Sequence, residues 1–285
     1  MPTKRQEALG SDSVISKMAS ESGAGNPVHQ VEDFGYEIPV ETVPLPSQGK
    51  IYPSGHPLHN KETVQIRAMT AREEDILMSR AFIKNGTVIT NLLRSCLSDK
   101  TIDPDDMIAG DRNAILIAIR ITGYGPDYDV ESSCPSCGNR QKSTFNLASL
   151  PIKRLSVDPV VPGENEFEVS LPVTKSRAVV KFTTGHDDRE RSTTQERLQK
   201  AGIQGESLVT SRLQSSIVSI NGRSEGSFVT GFIRNMPARD SLVVRKFLEA
   251  NEPGIDMSSR MECNSCDAQE EVRIPMGAAF FWPDA

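Results

Sequence analysis

The chain has 285 residues, 37% hydrophobic and 25% charged, with a net charge of −6 and a pI near 5.4. That length can bury a sizeable core, and the acidic balance argues against a general nucleic-acid binder, which needs a basic footprint. The longest apolar run, Ala114 to Ile119, has six residues, far from the roughly 18–20 that span a bilayer. The opening MPTKRQEALGSDS has no apolar h-region, so a reducing compartment is expected, where cysteines stay as thiols or bind metal.

In chain order, residues 1–35 are rich in Ser, Gly, Glu and Lys, with sparse, aperiodic hydrophobics; this composition predicts a disordered tail. Residues 36–285 read as a single α+β domain. From Glu37 to Pro57 stand five prolines, Pro39, Pro44, Pro46, Pro53 and Pro57, which predict an extended arm, since proline fits neither a helix interior nor a central strand. Val64 to Ala68 alternates as a strand does. Thr70-Ala71-Arg72-Glu73 is a capping box and predicts a helix to about Phe82; Asn85-Gly86 breaks it, and a second helix runs from Thr87 to Leu97. Asp103-Pro104 reads as an N-cap with proline at the first helical position. Gly110-Asp111 opens the most apolar helix, Arg112 to Ile121, with Leu116, Ile117, Ile119 and Ile121 buried, and Gly123 and Gly125-Pro126 stop it.

Two cysteine pairs follow, Cys134-Pro-Ser-Cys137 and Cys263-Asn-Ser-Cys266. Each lies between strand-like runs, Tyr128 to Ser132 and Lys142 to Leu147 for the first, Asp256 to Met261 and Glu271 to Ile274 for the second. Between the pairs come strands at Phe167 to Leu171 and Ala178 to Thr183. Helices are expected at Asp187 to Lys200 (capped by Asp187 or Asp188), Leu208 to Ile220, Glu225 to Asn235 and Ala238 to Ala250. The β-containing segment at 150–200 is the least defined part of the domain. The chain ends Phe280-Phe281-Trp282-Pro283-Asp284-Ala285, an aromatic tail that covers either its own core or a neighbour.

Zinc takes four tetrahedral ligands and thiolates suit it. A C-x-x-C turn puts two sulfurs on one side of a tight knuckle, and two knuckles complete the shell. Cys134, Cys137, Cys263 and Cys266 are therefore the expected ligands of one structural Zn²⁺, in a zinc-ribbon-like site with no open coordination position for catalysis. Cys137 and Cys263 are 126 positions apart; closing that loop costs on the order of 4 kcal/mol, against roughly 10–16 kcal/mol for structural zinc in peptides. A redox dithiol would sit at a helix N-terminus after a strand, whereas a hairpin is the better local reading of both pairs. The fifth cysteine, Cys96, reads as a small buried hydrophobe.

Other chemistry is thin. Gly185-His186-Asp187-Asp188 resembles a hydrolase His-Asp motif only superficially, and the aspartates read better as a helix cap. His56 and His59 flank a proline-rich loop. The spacing within Asp103 to Asp111 is wrong for an EF-hand, and no phosphate-binding or nucleophile-elbow pattern occurs.

Several segments together resemble the baseplate hub proteins of T-even-type contractile-tailed bacteriophages. They are Val43-Pro44-Leu45-Pro46-Ser47-Gln48-Gly49-Lys50-Ile51-Tyr52-Pro53, Arg67 to Leu77, Gly110-Asp111-Arg112 leading into Ile119-Arg120 and Tyr124-Gly125, and Phe281-Trp282-Pro283. The resemblance covers most of 43–145 and about 205–285, and is weaker over 150–200. It implies a non-enzymatic part in the hub or in building it, and other tail proteins (hub, tape measure or wedge components) as partners. It further implies a place in the virion tail baseplate or in the host cytoplasm during assembly, and is compatible with a homo-oligomer there. The zinc site rests on the cysteines and not on the family. The expected protein is thus α+β, a mainly helical body with small β-hairpins forming the zinc-ribbon-like site of four cysteines. A zinc-ribbon adaptor for nucleic acid or a replication- or transcription-type partner is the alternative, and an enzyme a distant third.

Overall fold

A computed structural model describes residues 37–200, 208–276 and 280–281; the expected tail at 1–35 and Trp282 lie outside them. At the centre is α4 (Ala109–Tyr124), whose Ile115, Ile117, Ala118 and Ile119 are fully buried. Ile121 is only half-buried, at the edge of this core. The N-terminal end of α4 meets the chain at Pro253: a Cβ on Gly110 would overlap the Pro253 carbonyl, so glycine permits the approach.

The proline-rich stretch, expected as an extended arm, is extended over Val40–Pro44 and then turns onto the core. Val40–Pro44 forms β1 and pairs antiparallel with β2 (Thr63–Arg67), and the turns between them bury Leu45, Ile51, Tyr52 and Leu58. Prolines interrupt the strand, while the intervening apolar side chains fold it onto the core.

Three short helices follow, α1 (Ala71–Met78), α2 (Arg80–Lys84) and α3 (Val88–Cys96). The single helix expected from Thr70 to Phe82 is broken at Ser79, whose extended backbone ends α1 while its hydroxyl caps α2 by accepting from the Phe82 N–H. The Thr70 box is present. Cys96 is fully buried, and burial pushes its thiol up to about 12. No helix forms at Asp103-Pro104: the Asp103 carboxylate accepts the Asp105 N–H at 3.0 Å and holds a turn. That is the alternative Asp offers a backbone in place of a helix.

The remaining elements, in order, are β3 (Asp127–Ser133), β4 (Arg140–Asn146), β5 (Ile152–Lys153), β6 (Phe167–Ser170), β7 (Arg177–Val180), α5 (Gly185–Lys200), α6 (Leu208–Ser216), β8 (Ile217–Ile220), α7 (Gly226–Arg234), α8 (Ala238–Asn251), β9 (Gly254–Ile255), β10 (Ser258–Glu262) and β11 (Gln269–Arg273). α5 begins two residues early, because Thr184 is its N-cap and Asp187 accepts back from the Thr184 N–H at 2.9 Å. The helix expected through Ile220 stops at Ser216; Ile217–Ile220 instead becomes the third strand of the sheet β6-β7-β8. Phe167 of that sheet packs on Phe182 and Phe247, with ring centroids 4.6 and 6.3 Å apart.

Among the described residues all strand pairs are antiparallel, in five small sheets. The described residues are 37% helix and 24% strand. The class is α+β as expected, but the body is not mainly helical: besides the strands expected at 167–183, Val40–Pro44 and Ile217–Ile220 contribute strands. No helix among the described residues is long and apolar enough to cross a membrane.

Candidate metal centre

Each cysteine pair sits at the tip of a hairpin, Cys134 and Cys137 between β3 and β4, Cys263 and Cys266 between β10 and β11. The two tips share one backbone plan. Cys134 N–H donates to the Asn139 carbonyl at 2.8 Å and Cys263 N–H to that of Ala268 at 3.0 Å. Gly138 N–H returns to Cys134 O at 2.8 Å, and Asp267 N–H to Cys263 O at 2.9 Å. Gly138 and Asp267 both take left-handed backbones, φ 74° and 54°. Glycine does so freely, and aspartate is among the few other residues that tolerate it.

The hairpins bring the two tips together. The four sulfurs lie within 4.8 Å of one another, and the cysteines are not disulfide-bonded. Between the knuckles, Cys137 approaches Cys263 at 3.6 Å and Cys134 approaches Cys266 at 3.8 Å. A tetrahedron of thiolates with metal–sulfur bonds of about 2.3 Å has edges of about 3.8 Å. This is the only group of three or more His, Cys, Asp or Glu among the described residues with a metal-binding arrangement.

Cys134 and Cys263 are buried, and Cys137 and Cys266 are exposed. The N–H groups of Ser265 and Cys266 hold the Cys263 thiol down at about 6. The Ala268 N–H favours the Cys266 thiolate too, yet the thiols of Cys137 and Cys263 push Cys266 up to about 12. Four thiolates this close repel one another, and a bound cation removes that repulsion.

Side-chain contacts lock the hairpins. Gln141 spans them, donating to Glu262 O at 2.7 Å and accepting from the Asn264 N–H at 2.8 Å. Ser136 donates to Glu270 at 2.6 Å. At the base, the Tyr128 hydroxyl donates to Pro275 O at 3.1 Å, and its ring meets Phe280 edge-on at 5.3 Å. Arg120, 1% exposed, donates to the carbonyls of Phe280, Gly125 and Asp127 at 2.8, 2.8 and 3.1 Å. Phe280 and Phe281 are buried in the chain's own core.

The other sequence candidates have structural duties. His186 contacts Asp106 at 3.0 Å, Asp187 belongs to the α5 cap, and Asp188 pairs with Arg191 at 2.7 Å. His59 donates to Tyr52 O at 2.6 Å, and His56 stacks on the Tyr52 ring at 4.7 Å. A polar centre that sequence reasoning missed lies at Asp111. Fully buried, it accepts the Ser47 N–H, the Ser47 hydroxyl and the Tyr52 hydroxyl at 2.9, 2.5 and 2.7 Å. Burial pushes its carboxyl up, and the bonds from Ser47 and Tyr52 pull it back. Ser47 and Tyr52 lie within a segment quoted for the resemblance, but no spacing rule links them to a residue some sixty positions on.

No curated protein and no solved structure gives a significant match. Residues 39–282 match the family described as T4 bacteriophage base plate protein, a span that takes in both hairpins, the Asp111 network and the 150–200 segment. The chain therefore belongs to the T4 bacteriophage base plate protein family.

Proposed function

We propose that the chain is a non-enzymatic structural or assembly protein of the baseplate hub, held by one structural Zn²⁺ on Cys134, Cys137, Cys263 and Cys266. The observation that carries the zinc reading is the convergence of four thiols from two hairpins at spacings near those of a tetrahedral site. All four ligand positions come from the protein, so such an ion has no place for substrate and acts as a staple. The hub assignment within the baseplate family rests on the ordered segments from Val43 to Pro53, Arg67 to Leu77 and Gly110 to Gly125. Other tail proteins, namely hub, tape-measure or wedge components, are the partners this implies, and the virion tail or its assembly site the location.

The nucleic-acid adaptor finds less support. The hairpins expose Asp127, Asp129, Glu131, Glu262 and Glu271 against Arg140, Lys142, Arg260 and Arg273, which is no basic footprint.

Elemental analysis of the purified chain should find one zinc per molecule, absent from Cys263→Ser. Mass spectrometry of purified particles, with co-purification against hub and tape-measure proteins, tests the hub. Metal-free protein of unchanged stability sinks the zinc reading; co-purification with neither hub nor tape-measure proteins sinks the hub.

A further inference from the structure

An open pocket of about 560 Å³ lies among α1, α2 and α3. Its charged lining is entirely cationic, Arg67, Arg72, Arg94 and Lys100, and its apolar lining is Ile76 and Phe82. Arg67 pairs with Glu73 at 2.5 Å and Arg94 with Asp103 at 2.9 Å. Lys100 sits on the carbonyls of Arg94, Ser95 and Leu97, while Arg72 has no ion-pair partner among the described residues. Met78 and Ile83, on the helices that form the pocket, are 66% and 57% exposed.

The described chain begins beside this wall. Val40 lies opposite Arg67 in the β1–β2 ladder, and Pro39 O accepts the Ala68 N–H at 3.0 Å. Immediately upstream the sequence reads Glu32-Asp33-Phe34-Gly35-Tyr36. We propose that this acidic–aromatic segment docks in cis into the cationic pocket of its own chain. Five extended residues reach at most about 17 Å, enough to turn from β1 onto a pocket walled by Arg67. The carboxylates of Glu32 and Asp33 supply anions for Arg72 and Lys100, the two cations of the lining that pair with no carboxylate among the described residues, and Arg72 offers a two-pronged donor for one of them. Phe34 and Tyr36 match Ile76 and Phe82. Lys100 points the same way: burial, then Arg67 and Arg72, push its ammonium down, and carboxylates in the pocket relieve that crowding.

The test uses the full chain with the photo-crosslinker p-benzoylphenylalanine in place of Phe34. Illumination should give intrachain cross-links to peptides within Arg72 to Lys84 or Asn91 to Lys100. Glu32→Lys with Asp33→Lys should lower their yield about fivefold, the scale of one favourable charge pair. Adding Arg72→Glu and Arg94→Glu, both at exposed positions, should restore it, with circular dichroism monitoring the fold. Cross-links to other regions, cross-links between isotopically distinct chains (a second copy in the pocket), or a yield indifferent to charge reversal each overturn the proposal.

Discussion

Asp111 carries three donated hydrogen bonds at the first turn of α4, and all three come from a segment that proline excludes from regular structure. The network ties that segment to the core, and the α4 N-terminus favours the negative charge. Asp111→Ala strands the Ser47 and Tyr52 donors in a buried site, and should lower unfolding stability by about 3–5 kcal/mol in urea titration. Glu73 tests the same chemistry through pH. Burial would raise its carboxyl, but hydrogen bonds from Arg67, Ser95 and Thr70 outweigh burial and hold it at about 2, below the ordinary 4.5. A carboxylate depressed in the folded state stabilises above its unfolded pKa, and that contribution fades as pH falls from about 4.5 toward 2. Glu73→Gln should therefore be less stable than the wild type at pH 7, with the gap closing across that window; a constant gap contradicts the account. The capping role of Glu73 was legible from Thr70-x-x-Glu73, but the Arg67 and Ser95 contacts were not, since they depend on β2 and α3 meeting α1.

Elements with a local signal were legible as elements. The capping box at Thr70, the apolar period of α4 and the turns around each cysteine pair are all written within a few residues. Those that depend on a distant partner were not. Ile217–Ile220 continues an apolar helical pattern and becomes a strand only because β7 offers an edge, a tertiary override of local preference. Asp103-Pro104 carries a helix-start signal that the Asx turn captures instead. The contact between α4 and the Pro253 turn is equally non-local, and it makes Gly110 more than a helix opener. Gly110→Ala puts a methyl group into the Pro253 carbonyl and should destabilise by about 1–3 kcal/mol through overpacking. Gly138→Ala meets no atom within 4 Å, so only its positive φ resists, at about 1–2 kcal/mol. Thermal melts of the two variants separate collision from backbone strain: a Gly110→Ala protein as stable as wild type means that α4 and β9 are not in close contact.

At the scale of the molecule, the four cysteines were the most legible feature and their mechanical setting the least. The C-x-x-C spacings mark the four cysteines as candidate ligands, but nothing in them says which parts of the fold their cluster joins. The knuckles crown two hairpins whose mutual contacts run from Gln141 and Ser136 at the tips to Tyr128, Phe280 and Arg120 at the base. At the base Tyr128 and Phe280 are buried, whereas at the tips Cys137, Cys266 and the residues between each pair are exposed. A metal bound at the tips would therefore act first on one end of the fold. Chelation or Cys263→Ser should raise amide exchange at 133–140 and 262–269 before it reaches β1, β2 or α4, because local openings follow the least buried contacts. The lowered melting temperature should be restored by zinc in the wild type and not in Cys263→Ser. Hydrogen exchange with mass spectrometry, with and without chelator, reads both effects. Uniform loosening that includes the Asp111 network would mean that the metal supports the core itself, and unchanged exchange at the tips would mean that the hairpins stand without it.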